Sequence, residues 1–84
     1  MTRDRKVFEE LLNHRPPNLP FRDFERLLRA FGFELARTSG SHRIYLHPVV
    51  PRPFPVQSGG KGAKRYQLRQ LLGLVETYGL QMEE

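Results

Sequence analysis

Proline decides where this chain can hold regular structure. Its seven prolines fall in two clusters, Pro16, Pro17 and Pro20, then Pro48, Pro51, Pro53 and Pro55. Proline has no N–H, fixes its own φ and pushes the preceding residue out of the helical region. No helix runs through either cluster, and a strand within the second is confined to a sheet edge. Three stretches remain for regular structure. All must share one core, because 84 residues leave no room for a second. Leu, Ile, Val and Phe together number 24 of 84 residues, well above the ~20% below which a charged chain tends to stay disordered. A folded single domain over 1–84 is expected.

The three stretches carry different periods. In residues 5–14, Val7, Phe8, Leu11 and Leu12 mark a short amphipathic helix, with Asp4 at its start and His14 at its end. From about Arg22 to Phe31, Phe24, Leu27, Leu28 and Phe31 recur at i, i+3, i+4, i+7, which is one face of a helix. Asp23 and Glu25 suit its positive end and Arg29 its negative end, and Gly32 is positioned as the C′ residue. Phe33–Thr38 alternates Phe33, Leu35 and Arg37 against Glu34, Ala36 and Thr38, the pattern of a strand.

Ser39-Gly40 is turn chemistry, and Ser41–His47 reads as the second strand of a hairpin. There His42, Ile44 and Leu46 share one face and Arg43, Tyr45 and His47 the other. Both faces carry apolar groups, so the period leaves open which one is buried. Phe54–Gln57 is an edge strand, and Ser58-Gly59-Gly60-Lys61-Gly62 a flexible basic loop. A last helix starts near Arg65 with Leu68, Leu71, Leu72 and Val75 on one face, and Gly79 ends it with Leu80 folding back. The order α-α-β-β-β-α predicts an α+β sandwich.

Charge points to the partner. Residues 35–75 hold seven basic side chains, Arg37, Arg43, Arg52, Lys61, Lys64, Arg65 and Arg69, and no carboxylate. A 41-residue cationic stretch fits a polyanion, or else is a solvated basic face. The same stretch excludes chemistries. A two-metal nuclease needs clustered carboxylates, a glycosidase needs two facing ones, and the glycine loop lacks a P-loop pattern. With no cysteine, a disulfide scaffold, a zinc ribbon and a thiol nucleophile are out, and a cytoplasmic protein is expected. No apolar run approaches the ~18 residues of a membrane span, so no membrane is expected as partner.

Histidine beside cationic groups is what remains, and it suffices for metal-free RNA cleavage. RNA brings its own nucleophile, the 2′-hydroxyl. Imidazole can exchange a proton near neutral pH, and Arg or Lys can stabilise charge building on phosphate. His42 directly follows Ser39-Gly40-Ser41 at the mouth of the hairpin. His47, before Pro48, reads as a strand-end residue. The two fall on opposite faces of a regular strand with no third ligand nearby, so neither a metal nor a cofactor is expected. Tyr45 and Tyr66 either stack on bases or pack in the core with wet hydroxyls. Lys61, Lys64, Arg65 and Arg69 surround the start of the last helix, whose free N–H groups favour phosphate.

Gly32-Phe33, and then Gly40-Ser41-His42-Arg43-Ile44-Tyr45-Leu46-His47-Pro48, resemble the HicA (YcfA-like) toxins of type II toxin–antitoxin systems. Tyr66–Leu72 after the Gly/Lys loop resembles the closing helix of one branch of that family. The likeness spans roughly Pro20 to Leu80. Residues 1–19 look like an N-terminal helical extension and 20–80 like the core. The resemblance implies a double-stranded-RNA-binding-like α-β-β-β-α fold. It also implies an mRNA endoribonuclease that inhibits translation, with no cofactor, and a HicB-type antitoxin that covers its site. The family's catalytic histidine maps onto His42 within Gly40-Ser41-His42. Ser41, Arg43, Tyr45, Lys61, Lys64, Arg65 and Arg69 are the expected contacts to single-stranded mRNA. Arg22 stands where the family often has a Ser or Thr N-cap, and Arg65 stands near a frequent Pro; both bear on caps, not chemistry. Two other readings compete: a non-catalytic RNA-binding module, and a structural domain docking an acidic protein.

Overall fold

A computed structural model describes residues 19–57 and 65–82, with Arg65 described by its backbone alone. The expected helix over residues 5–14 with His14, and the basic loop with Lys61 and Lys64, lie outside the described residues. Within them the order is α1 (Phe21–Ala30), β1 (Glu34–Ser39), β2 (His42–Leu46), β3 (Phe54–Gln57) and α2 (Arg65–Tyr78). The three strands form one antiparallel sheet in the order β1-β2-β3. The fold is α+β, helix, three antiparallel strands, helix, in keeping with the double-stranded-RNA-binding-like arrangement.

α1 starts one residue before the expected Arg22. Its N-cap is Pro20, not a position near Arg22, and no side chain caps it. The Pro20 carbonyl accepts the N–H groups of Asp23 and Phe24 at 2.9 and 3.1 Å instead. Proline serves there because its missing N–H lies outside the helix. The far end is a Schellman motif: Phe33 N–H donates to Leu28 C=O at 2.9 Å and Gly32 N–H to Arg29 C=O at 3.0 Å. α2 closes in a related way at Gly79, with Leu80 N–H donating to Val75 C=O at 3.1 Å.

Phe24, Leu27 and Leu28 of α1 and Phe31 at its C-cap meet Tyr45, Phe54 and Val56 of the sheet and Leu68 and Leu71 of α2 in one cluster. Edge-on aromatic contacts run through it, from His47 to Phe33 (4.9 Å), Phe33 to Phe54 (5.8 Å) and Phe54 to Phe24 (6.3 Å). The core face of α2 is turned from the expected one. Gln67, Leu68 and Leu71 are buried, Leu74, Val75 and Tyr78 pack partly, and Leu72 stays at the margin.

The register answers the question left by β2. Tyr45 lies opposite Phe54 and Arg43 opposite Val56, so Arg43 and Tyr45 point to the helix-covered face. His42, Ile44 and Leu46 therefore look the other way, onto an open face. β1 is exposed at every position, as an edge strand. Its expected alternation of Phe33, Leu35 and Arg37 breaks at Ala36, where the register shifts between Leu35, opposite Tyr45, and Arg37, opposite Ile44.

Gly73 sits inside α2, and an added Cβ would meet nothing within 4 Å. Gly73→Ala is expected to stabilise the protein by about 0.5–1 kcal/mol, through lost backbone freedom in the unfolded chain. A urea melt reads this as a higher midpoint at unchanged slope. A midpoint at or below wild type would mean that the position is not an ordinary exposed helix site.

Candidate functional site

The site begins with a tight turn. Ser39 and His42 face each other across the two-residue loop Gly40-Ser41. Gly40 takes φ +60°, which the first central residue of a two-residue hairpin loop needs and which side chains with a Cβ resist. His42 is thus the first residue of β2, paired on one side with Ser39 of β1 and on the other with Gln57 of β3. Its backbone is held by two strands while its side chain is exposed on the open face. Ser41 is exposed beside it in the turn.

Arg43 and Tyr45, expected as RNA contacts, are committed elsewhere. Both reach Glu25 of α1. Arg43 Nη1 donates to Glu25 Oε1 and the Tyr45 hydroxyl to Oε2, each at 2.5 Å. Tyr45 has no exposed surface, and Glu25 is 5% exposed. Tyr45 is a core residue with a buried, bonded hydroxyl, so its ring offers no face to a base. Arg43 is half-exposed, and its guanidinium also lies 5.4 Å from the centre of the Phe21 ring. The Glu25 hydrogen bond, followed by Coulomb attraction, raises the Arg43 pKa above its ordinary value. Glu25 reads from sequence as a first-turn carboxylate suited to the helix dipole. Its position four residues after Phe21 and three before Leu28 is the signal that it borders the apolar face. Gln67, 2% exposed, is a second buried polar side chain that period alone does not reveal.

Burial, reinforced by the bond to Glu25, pushes the Tyr45 phenol up to about 12 from its ordinary 10. Between those values the folded protein holds a proton that the unfolded chain has released, so stability falls as pH rises. The contribution is complete below pH 10 and is lost by about pH 12. A two-unit difference corresponds to roughly 2–3 kcal/mol. Urea midpoints measured from pH 9 to 11.5 should drop more steeply in wild type than in Tyr45→Phe. Parallel curves would remove Tyr45 as the cause.

His47 is also committed. Its Nε2 lies 2.9 Å from the Phe31 carbonyl oxygen, and its Nδ1 accepts the Val49 N–H at 3.1 Å. A carbonyl only accepts and an N–H only donates, so Nε2 is the donor to Phe31 and Nδ1 the acceptor from Val49. It ties the end of α1 to the segment after β2, and both nitrogens are occupied. Of the remaining expected contacts, Arg69 is exposed on α2, and Arg65 is that helix's first residue. Tyr66, 50% exposed, keeps a face open to solvent.

No helix among the described residues is long and apolar enough to cross a membrane. A family model described as HicA toxin of bacterial toxin-antitoxin matches residues 21–76. That span opens at the first residue of α1 and closes within α2. No curated protein and no solved structure gives a significant match.

Proposed function

The chain belongs to the HicA toxin family of bacterial toxin–antitoxin systems, and from that premise we propose that it is a metal-independent mRNA endoribonuclease with His42 as its proton-transfer residue. The RNA 2′-oxygen attacks the neighbouring phosphorus and the bond from phosphorus to the 5′-oxygen breaks. The products are a 2′,3′-cyclic phosphate and a free 5′-hydroxyl. One proton leaves the 2′-hydroxyl and one reaches the departing 5′-oxygen. His42 accepts the first or supplies the second. Ser41 lies beside the reacting group, and Lys61, Lys64, Arg65 and Arg69 hold flanking phosphates.

One observation carries this reading. His42 is exposed on the open face with no side-chain partner among the described residues. The other described histidine, His47, has both ring nitrogens engaged. On this reading Arg43 and Tyr45 support β2 from its covered face through Glu25. Toxins of this kind work with an antitoxin partner. We take that partner to be a HicB-type protein covering the open face, where Ile44 and Leu46, the latter 46% exposed, give it apolar area. Translation inhibition follows from loss of mRNA.

The test is RNA integrity after incubation with purified protein in EDTA, wild type beside His42→Ala. The expected result is cleavage by wild type alone, with cyclic phosphate ends. RNA intact in both, with a salt-sensitive gel shift in both, would favour a non-catalytic binding module. Equal cleavage in both would remove His42 from the chemistry.

A further inference from the structure

We propose that Arg37 is the cation that holds the scissile phosphate beside His42, and that the bulge at Ala36 puts it there. The inference rests on the ribonuclease reading and names a contact that period alone hides. In a regular strand, residues 35, 37 and 39 share one face. Leu35 lies opposite Tyr45, on the helix-covered side. An unbroken β1 would therefore send Arg37 to that side as well. Instead Arg37 lies opposite Ile44 and Ser39 opposite His42, and Ala36 has no partner. The extra residue reverses the alternation, so Arg37 and Ser39 fall on the open face.

Four side chains then converge on one patch. Ser39 and Gln57 flank His42 directly across the two neighbouring strands. Arg37 is the diagonal neighbour, at a backbone spacing of about 7–8 Å that a long side chain spans. Glu34 is the carboxylate of β1 on this face, but it lies opposite Leu46, a further pair away from His42.

Commitment separates the two arginines of the hairpin. Arg43 is paired with Glu25 on the covered face. Arg37 is exposed and makes no ion pair among the described residues. A guanidinium with both N–H pairs free matches the two non-bridging oxygens of a phosphodiester. Next to the proton-transfer residue, it opposes the negative charge that builds on those oxygens as the 2′-oxygen attacks. Nothing in β1 itself calls for arginine at this position, since an edge strand of exposed residues tolerates many polar side chains.

The decisive variant keeps the composition and moves the charge. Exchanging the pair, Arg37→Thr with Thr38→Arg, preserves net charge and shifts the guanidinium to the face opposite, because Thr38 pairs with Arg43. Both positions are exposed, so the exchange is compatible with folding, and a thermal melt checks it. Arg37→Ala and the exchanged protein should each cleave RNA about 100-fold more slowly than wild type. Binding to a single-stranded 2′-O-methyl oligonucleotide, which cannot be cut, should lose about 0.7 from its salt slope in both. An unchanged slope in Arg37→Ala overturns the assignment, whether or not wild type cleaves. Wild-type cleavage by the exchanged protein overturns it too, since charge alone would then suffice. A wild type that binds with the expected slope but cuts nothing sinks the ribonuclease reading and leaves the Arg37 contact standing.

Discussion

Glu25→Ala should destabilise the protein by roughly 2–4 kcal/mol, a large part of the ~5–15 kcal/mol expected for a small domain. The carboxylate is 5% exposed and accepts two hydrogen bonds from β2. Its loss has unequal consequences for the donors. Arg43 stands at the surface and turns to water. The Tyr45 hydroxyl has no exposed surface, so it is stranded with its desolvation uncompensated. Most of the effect therefore sits on the tyrosine. The combined variant Glu25→Leu, Tyr45→Phe removes carboxylate and hydroxyl together, and should cost clearly less than the sum of its singles. Urea melts of the four proteins measure the coupling. Additive losses would mean that the Glu25–Tyr45 bond contributes little to joining α1 and β2, and would leave the Arg43–Glu25 pair as the polar link between them.

For His42→Ala the expected result is opposite in kind: RNA cleavage falls by at least about 100-fold while stability stays within ~0.5 kcal/mol of wild type. The side chain is exposed and has no protein partner among the described residues, so its removal breaks nothing that holds the fold. His47→Ala is the internal control. It deletes the links to Phe31 and Val49 and the contact with Phe33, so it should lower the melting midpoint and impair cleavage only through folding. Measuring rate and midpoint on both variants separates chemistry from support. A stable His47→Ala with cleavage lost as completely as in His42→Ala would move the proton transfer to His47.

Much of the architecture was legible beforehand because the signals were local. The face of α1, the glycine stops at Gly32 and Gly79, the two-residue hairpin at Gly40 and the proline-confined β3 each follow from residues within a few positions of one another. Errors of one residue, such as the start of α1 at Phe21, came from a cap made by the Pro20 carbonyl rather than by a side chain. The turn that sets His42 at the head of β2 was legible from Ser39-Gly40-Ser41. Its neighbours were not. Arg43 and Tyr45 flank it in sequence but point away from it. Ser39, Gln57 and Arg37 reach it only through cross-strand pairing.

By itself, then, the sequence determined the elements of the described residues, their order and the residue at the head of β2, because helix and strand periods, turns and caps are short-range. It also set the cationic, carboxylate-free middle that suits a polyanion. Only the tertiary structure decided which face of β2 is covered. Alternation put apolar groups on both sides, and the covered side is the one where Tyr45 joins Phe54 and Val56 in the core and Glu25 of α1 accepts Arg43 and Tyr45, with His42 on the other. It alone decided the turn of α2 that buries Gln67. The bulge at Ala36 was decided there as well, because an unpaired residue is defined by the strand beside it and not by the strand that carries it.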